Sequence, residues 1–139
     1  MRKRLSEREI FERSISEEDV FGACRALLEL NGAVVHRVVE RIPWGRKKSE
    51  PGIPDMFGWF KHKRLDWKCV EVLCSGNAIL DIGPVSFYVE IKKPGGKHRP
   101  AQVRWIEDAR KDGVIAFFAD SVEQMVEEFK KLGIVLKGI

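Results

Sequence analysis

The sequence predicts an α/β domain: a central mixed β-sheet flanked by helices, in the order α-β-β-β-α-β-α. Three observations carry that prediction. Apolar residues recur at helical spacing in two well-punctuated segments, residues 16–31 and 121–131. Between them lie short runs rich in β-branched and aromatic residues, at 34–41, 55–61, 86–92 and 114–119. With 139 residues, 44% of them apolar, the chain can build one core without disulfides or a structural metal.

Each element has its local reason. Residues 1–15 are densely charged, with only Leu5, Ile10, Phe11 and Ile15 as scattered apolar positions, and are expected to form a charged N-terminal arm or a short helix. From 16 to 139 the chain reads as one domain. Ser16 and Asp19 form a capping-box start, Val20, Ala23, Cys24, Leu27 and Leu28 follow at helical spacing, and Asn31-Gly32 stops the helix. A strand over 34–41 leads into a loop punctuated by Pro43, Gly45, Pro51, Gly52 and Pro54 and carrying Arg46, Lys47 and Lys48. The next strand covers 55–61. In 86–92, Phe87, Val89 and Ile91 alternate against Tyr88, Glu90 and Lys92, which puts Glu90 and Lys92 together on one face. After Pro94-Gly95-Gly96, a helix over 101–112 presents Val103, Ile106 and Ala109, a buried strand spans 114–119, and Ser121 opens a last helix with Val122, Met125, Val126 and Phe129 inward.

Composition narrows the function. Lys and Arg number 25 against 21 Asp and Glu, and the excess is clustered: residues 36–68 hold nine bases and four acids, whereas 120–128 hold acids alone. A clustered positive charge suits a polyanionic partner. No apolar run approaches the roughly 18 residues of a membrane span, and the basic start runs into charged residues where a signal peptide has its apolar segment. The expected compartment is the cytoplasm, with a nucleoid-associated or phage-encoded protein included in that expectation. Cys24, Cys69 and Cys74 form no C-x-x-C pair, which leaves no tetrahedral zinc site within one chain. His36 and His62 accompany no nucleophile arrangement of the Ser/His or Cys/His kind.

The chemistry concentrates elsewhere. Asp55 begins one strand, and Glu90 and Lys92 lie on a later one, before a glycine-rich turn and a basic helix. A face carrying Glu90 and Lys92 is expected to be open, or to be a site; an ordinary surface ion pair on an edge strand is the plain alternative. Two converging carboxylates supply hard oxygen ligands for Mg²⁺ or Mn²⁺, and a lysine beside them can screen charge on a reacting phosphate.

Gly52-Ile53-Pro54-Asp55, then Phe87-Tyr88-Val89-Glu90-Ile91-Lys92-Lys93-Pro94, then Gly96-Lys97-His98-Arg99-Pro100-Ala101-Gln102 with Trp105-Ile106, resembles the VRR-NUC branch of the PD-(D/E)XK nuclease superfamily. The resemblance runs over most of the chain from Ser16 onward and implies a restriction-endonuclease-like core. It implies that Asp55 and Glu90 bind the divalent metal, with the Ile91 backbone carbonyl completing its shell, that Lys92 is catalytic, and that Gln102 holds the attacking water or Lys92. Glu17 matches an acidic position near the metal more loosely, since Glu18 and Asp19 adjoin it. Lys93, Lys97, His98, Arg99 and Arg104, with Arg46, Lys47 and Lys48 as a second patch, are expected to contact DNA phosphates.

About 34 residues separate Asp55 from Glu90, where a tight hairpin takes about 2 to 5. An insertion at about 65–83, apolar through Trp67, Val70, Val72, Leu73, Ile79 and Leu80, reads as an extra hairpin around Ser75-Gly76-Asn77 that extends the sheet, meets a partner or packs on its own domain. The resulting expectation is a metal-dependent DNA endonuclease acting on branched or double-stranded DNA, of the Holliday-junction type, as a homodimer. A nicking or restriction-type subunit working with a helicase or methylase, and a DNA-binding module that does not cleave, are the alternatives.

Overall fold

The computed structural model describes residues 4–38, 52–61, 63–66, 79–82 and 84–138, the two four-residue stretches through their backbone pairing alone. Helix α1 (Glu7–Ser14) forms from the charged arm because Ser6 and Glu9 make a reciprocal capping box, and it buries none of its residues. Only Ile15, after it, packs against the core. Helix α2 (Glu17–Leu30) begins at the predicted Ser16–Asp19 box and buries Val20, Phe21, Cys24, Leu27 and Leu28.

Strands β1 (Ala33–Arg37) and β2 (Met56–Phe60) follow, then a hairpin of β3 (Lys63–Asp66) and β4 (Ile79–Ile82), then β5 (Val85–Ile91), helix α3 (Pro100–Lys111), strand β6 (Ile115–Ala119) and helix α4 (Val122–Lys131). The main sheet has the order β1-β2-β5-β6. Its first two pairings are antiparallel and β5–β6 is parallel, with α3 as the crossover that a parallel pair requires. This is the mixed sheet flanked by helices expected of a restriction-endonuclease-like core.

The core lies between one sheet face and the pair α2 and α4. Val35, Met56, Phe60, Phe87, Val89, Ile91, Phe117 and Ala119 meet Cys24, Leu28, Met125 and Phe129 there. Phe129 stands edge-on to Phe60, Phe87 and Phe117 at 5.6, 5.4 and 5.0 Å, the geometry that ring quadrupoles favour. The chain after α4 also enters this core through Ile134 and Leu136, and the Asn31 side chain ties the tail to the end of α2 by donating to the Lys137 carbonyl and accepting from its N–H.

Several boundaries differ from expectation. The hairpin arm begins at Lys63, two residues before the predicted insertion, and β3 pairs with β4 as a separate two-stranded sheet. Among the described residues it therefore does not lengthen the main sheet. The last part of the predicted first strand, the loop with Arg46, Lys47 and Lys48, and the middle of the insertion fall outside the described residues. Within the described residues no helix is long and apolar enough to cross a membrane.

Candidate active site

Antiparallel pairing of β2 with β5 sets Phe57 opposite Tyr88. One step of the pleat further, where β2 gives way to the preceding loop, Asp55 comes level with Glu90, and its N–H donates to Glu90 Oε2 at 3.1 Å. The side chains of Glu90 and Tyr88 lie on the face opposite Val89 and Ile91, away from the α2/α4 core.

The alternation left that face either open or a site, and at Glu90 it is not open. Glu90 is 2% exposed and Lys92 7%, and the first turn of α3 lies over Glu90. Gln102 Nε2 donates to Glu90 Oε1 at 2.6 Å, while Gln102 Oε1 accepts the Arg99 N–H at 3.2 Å, a pair of contacts that fixes which way the amide faces. Lys92 Nζ lies 3.6 Å from Glu90 Oε1. β5 is an interior strand, so this is a buried ion pair and the edge-strand surface pair is ruled out. Burial, reinforced by the negative charge of Asp55, pushes the Glu90 carboxyl up to about 8 against the opposing pull of Lys92 and the Asp55 amide.

The loop bearing Asp55 is locked to the same helix. Gly52 adopts φ +94°, and a Cβ there would lie 2.4 Å from the Ala101 carbonyl oxygen and 3.1 Å from the Gln102 nitrogen. Only glycine allows that approach. Pro54 is fully buried behind it. Loop, strand and helix thus converge on one carboxylate, Glu90.

Around this centre, Lys93, Lys97, His98, Arg99 and Arg104 are exposed, and among the described residues the lysines and arginines of this set have no ion-pair partner. The His98 ring stacks on Phe118 at 3.8 Å with planes 3° apart, and Phe118 is the β6 partner of Glu90. Ile91 is buried at the end of β5, and the Lys92 N–H donates to the Ala119 carbonyl. Glu17 is exposed in the first turn of α2. Among the described residues no three His, Cys, Asp or Glu side chains gather as metal ligands, so Glu17 does not join Asp55 and Glu90. The structure brings together Asp55, Glu90, Lys92 and Gln102 from four separate sequence positions and leaves Glu17 apart.

The donor set fits a divalent cation. Asp55 and Glu90 converge as hard oxygen donors, and burial and mutual repulsion keep a proton on Glu90 that a hard cation between them would displace. Sequence reasoning missed Gly52 as a contact, although a glycine three residues before an acid was a usable signal, and missed the His98–Phe118 stack, for which no local pattern exists.

A family model for the VRR-NUC domain matches residues 2–123, a span containing Asp55, Glu90, Lys92 and Gln102. Comparison with curated proteins and with solved structures gives no match.

Proposed function

The chain belongs to the VRR-NUC domain family, a nuclease family of PD-(D/E)XK type, and on that premise we propose that it is a divalent-metal-dependent endonuclease hydrolysing DNA phosphodiester bonds. The observation that carries this reading is the buried Glu90 carboxylate held simultaneously by the Asp55 amide, Gln102 and Lys92. Asp55, Glu90 and the Ile91 carbonyl would hold Mg²⁺ or Mn²⁺, which supplies Lewis-acid polarisation of a phosphate oxygen and a nucleophile at neutral pH.

The protein's own groups do the rest. Lys92 presents an ammonium that orients the attacking water and screens negative charge building on phosphorus. Gln102 keeps Glu90 in place and sets the water's direction. Lys93, Lys97, His98, Arg99 and Arg104 neutralise phosphates flanking the scissile one and fix the strand in register. Attack in line with the departing 3′-oxygen leaves a 5′-phosphate on the product.

A domain this small has little surface for reading base sequence, so we assign its selectivity to DNA shape, with a branched or junction substrate cut by a homodimer whose two centres match a symmetric branch. The test is incubation of purified protein with linear, flapped and four-way DNA in Mg²⁺, Mn²⁺ or EDTA. Cleavage of branched DNA that EDTA abolishes is the expected result. Metal-independent cleavage, or none on any DNA, overturns the reading.

A further inference from the structure

The sheet face that carries Glu90 also carries a row of rings. One pleat step behind Asp55 and Glu90, the register aligns His36, Phe57 and Tyr88 across three strands. His36 and Phe57 stack at 5.1 Å with planes 21° apart, and Phe57 and Tyr88 at 6.2 Å and 25°. Trp105 of α3 closes the inner end against Tyr88 at 5.1 Å, and Trp59 tilts against His36 at 5.3 Å. The outer end is different: His36 sits on the outermost strand and is exposed, while the rings behind it are half-buried. Among the described residues the stack is closed at one end and open at the other, where it has room for one more plate.

We propose that this row is a nucleobase platform, on which the base of an unpaired nucleotide near the scissile phosphate stacks against His36. The inference rests on the nuclease reading and narrows its branched substrates to those with a single-stranded segment beside the cut, such as a flap, in place of a fully paired four-way junction. Three features favour a nucleic-acid strand as the occupant. A pleat step and two interstrand spacings put His36 about 12 Å from Glu90, within the reach of a strand whose phosphate lies at the carboxylates. Arg99 at the start of α3 and Arg104 in its second turn, both exposed and without ion-pair partners among the described residues, belong to the helix that covers this face of the sheet, and the first turn of that helix holds no acid. Aromatic platforms accept any base through its π-face, which matches a protein that selects shape over sequence. A base inside a duplex has both faces covered by its stacked neighbours and is not available to the platform.

The experiment is equilibrium binding by fluorescence anisotropy in Ca²⁺, with a blunt duplex, the same duplex bearing a single-stranded extension, and that substrate with abasic residues replacing the extension nucleotides. The parent is expected to bind the extended DNA about tenfold more tightly than the abasic form, His36→Ala to lose that difference, and His36→Phe to retain it. Equal binding of the intact and abasic extensions by the parent overturns the platform and needs no variant to fold. Parent-like discrimination by His36→Ala overturns it as well. Because this assay does not read cleavage, the two ideas fail separately: base-dependent binding here with no cleavage in Mg²⁺ or Mn²⁺ supports the platform and counts against the nuclease, and metal-dependent cleavage with base-independent binding does the reverse.

Discussion

Gln102 and Glu90, twelve residues apart, are joined by a hydrogen bond of 2.6 Å that ties the start of α3 to the middle of the sheet. This bond makes the helix part of the site, and it sets the order in which substitutions should hurt.

Glu90→Gln, Asp55→Asn and Lys92→Met should each reduce single-turnover cleavage of branched DNA by about a thousandfold or more, because members of one catalytic unit fail together. Gln102→Ala should lose about 10- to 100-fold, as groups that orient a metal ligand do. Circular dichroism should show the fold retained in these variants. Glu90→Ala is a different case: it leaves the Asp55 N–H and the Gln102 amide without their acceptor, at a cost of about 1–3 kcal/mol for each buried donor, and should be visibly destabilised in urea. Cleavage within tenfold of the parent for the Asp55, Glu90 or Lys92 variant contradicts the assignment.

Stability of the metal-free protein should fall as pH rises from 4.5 towards about 8. Glu90 is raised above its ordinary value, so in that window the folded state binds a proton that the unfolded state has released, and each rise in pH favours unfolding. Thermal melts in EDTA across this range should show a steeper decline for the parent than for Glu90→Gln, which cannot ionise. Parallel profiles would mean that Glu90 titrates normally in the fold.

Gly52→Ala should destabilise the protein by about 1–3 kcal/mol, since it adds a methyl at a positive φ against the Ala101 carbonyl. The greater damage is expected in cleavage, because separating the loop from α3 moves Asp55 away from Glu90. Urea midpoints and rates measured on the same preparation will tell; a variant equal to the parent in both would show that the loop approaches α3 less closely in solution.

DNA binding in Ca²⁺ should persist without cleavage and weaken steeply with salt. Neutralising Lys97 and Arg104 together should reduce the slope of log K against log salt by about 2, roughly one for each phosphate that is no longer neutralised. An unchanged slope removes these residues from the interface.

Replacing residues 65–83 by a short Gly/Ser turn should convert the protein to a monomer by light scattering, if β3 and β4 belong to the interface of the proposed dimer. A variant that stays folded, dimeric and able to cut both strands of a junction assigns the hairpin to its own domain alone.

Much of the fold was legible because its signals are local. Ser16 and Asp19 announced α2 within four residues, and the alternation of Phe87, Val89 and Ile91 with Glu90 separated the faces of β5. The co-location of Asp55, Glu90, Lys92 and Gln102 followed from motif order. The burial of Glu90 was not legible: alternation assigns a face but not what covers it, and the cover comes from a helix whose docking depends on Gly52, 38 positions before Glu90 in the chain. The buried tail was missed for a related reason, since Ile134 and Leu136 are too few to show a period.

That tail bears on how the domain is delimited. The match to the family ends at residue 123, yet Met125, Phe129, Ile134 and Leu136 beyond it are all core residues, and Phe129 is the ring about which three others are arranged. A fragment trimmed to the matched span would keep every polar group of the candidate active site and lose the wall that holds the sheet in shape. For anyone grafting this nuclease onto another protein, the usable unit includes Lys137, with the junction placed beyond the tie it makes to Asn31.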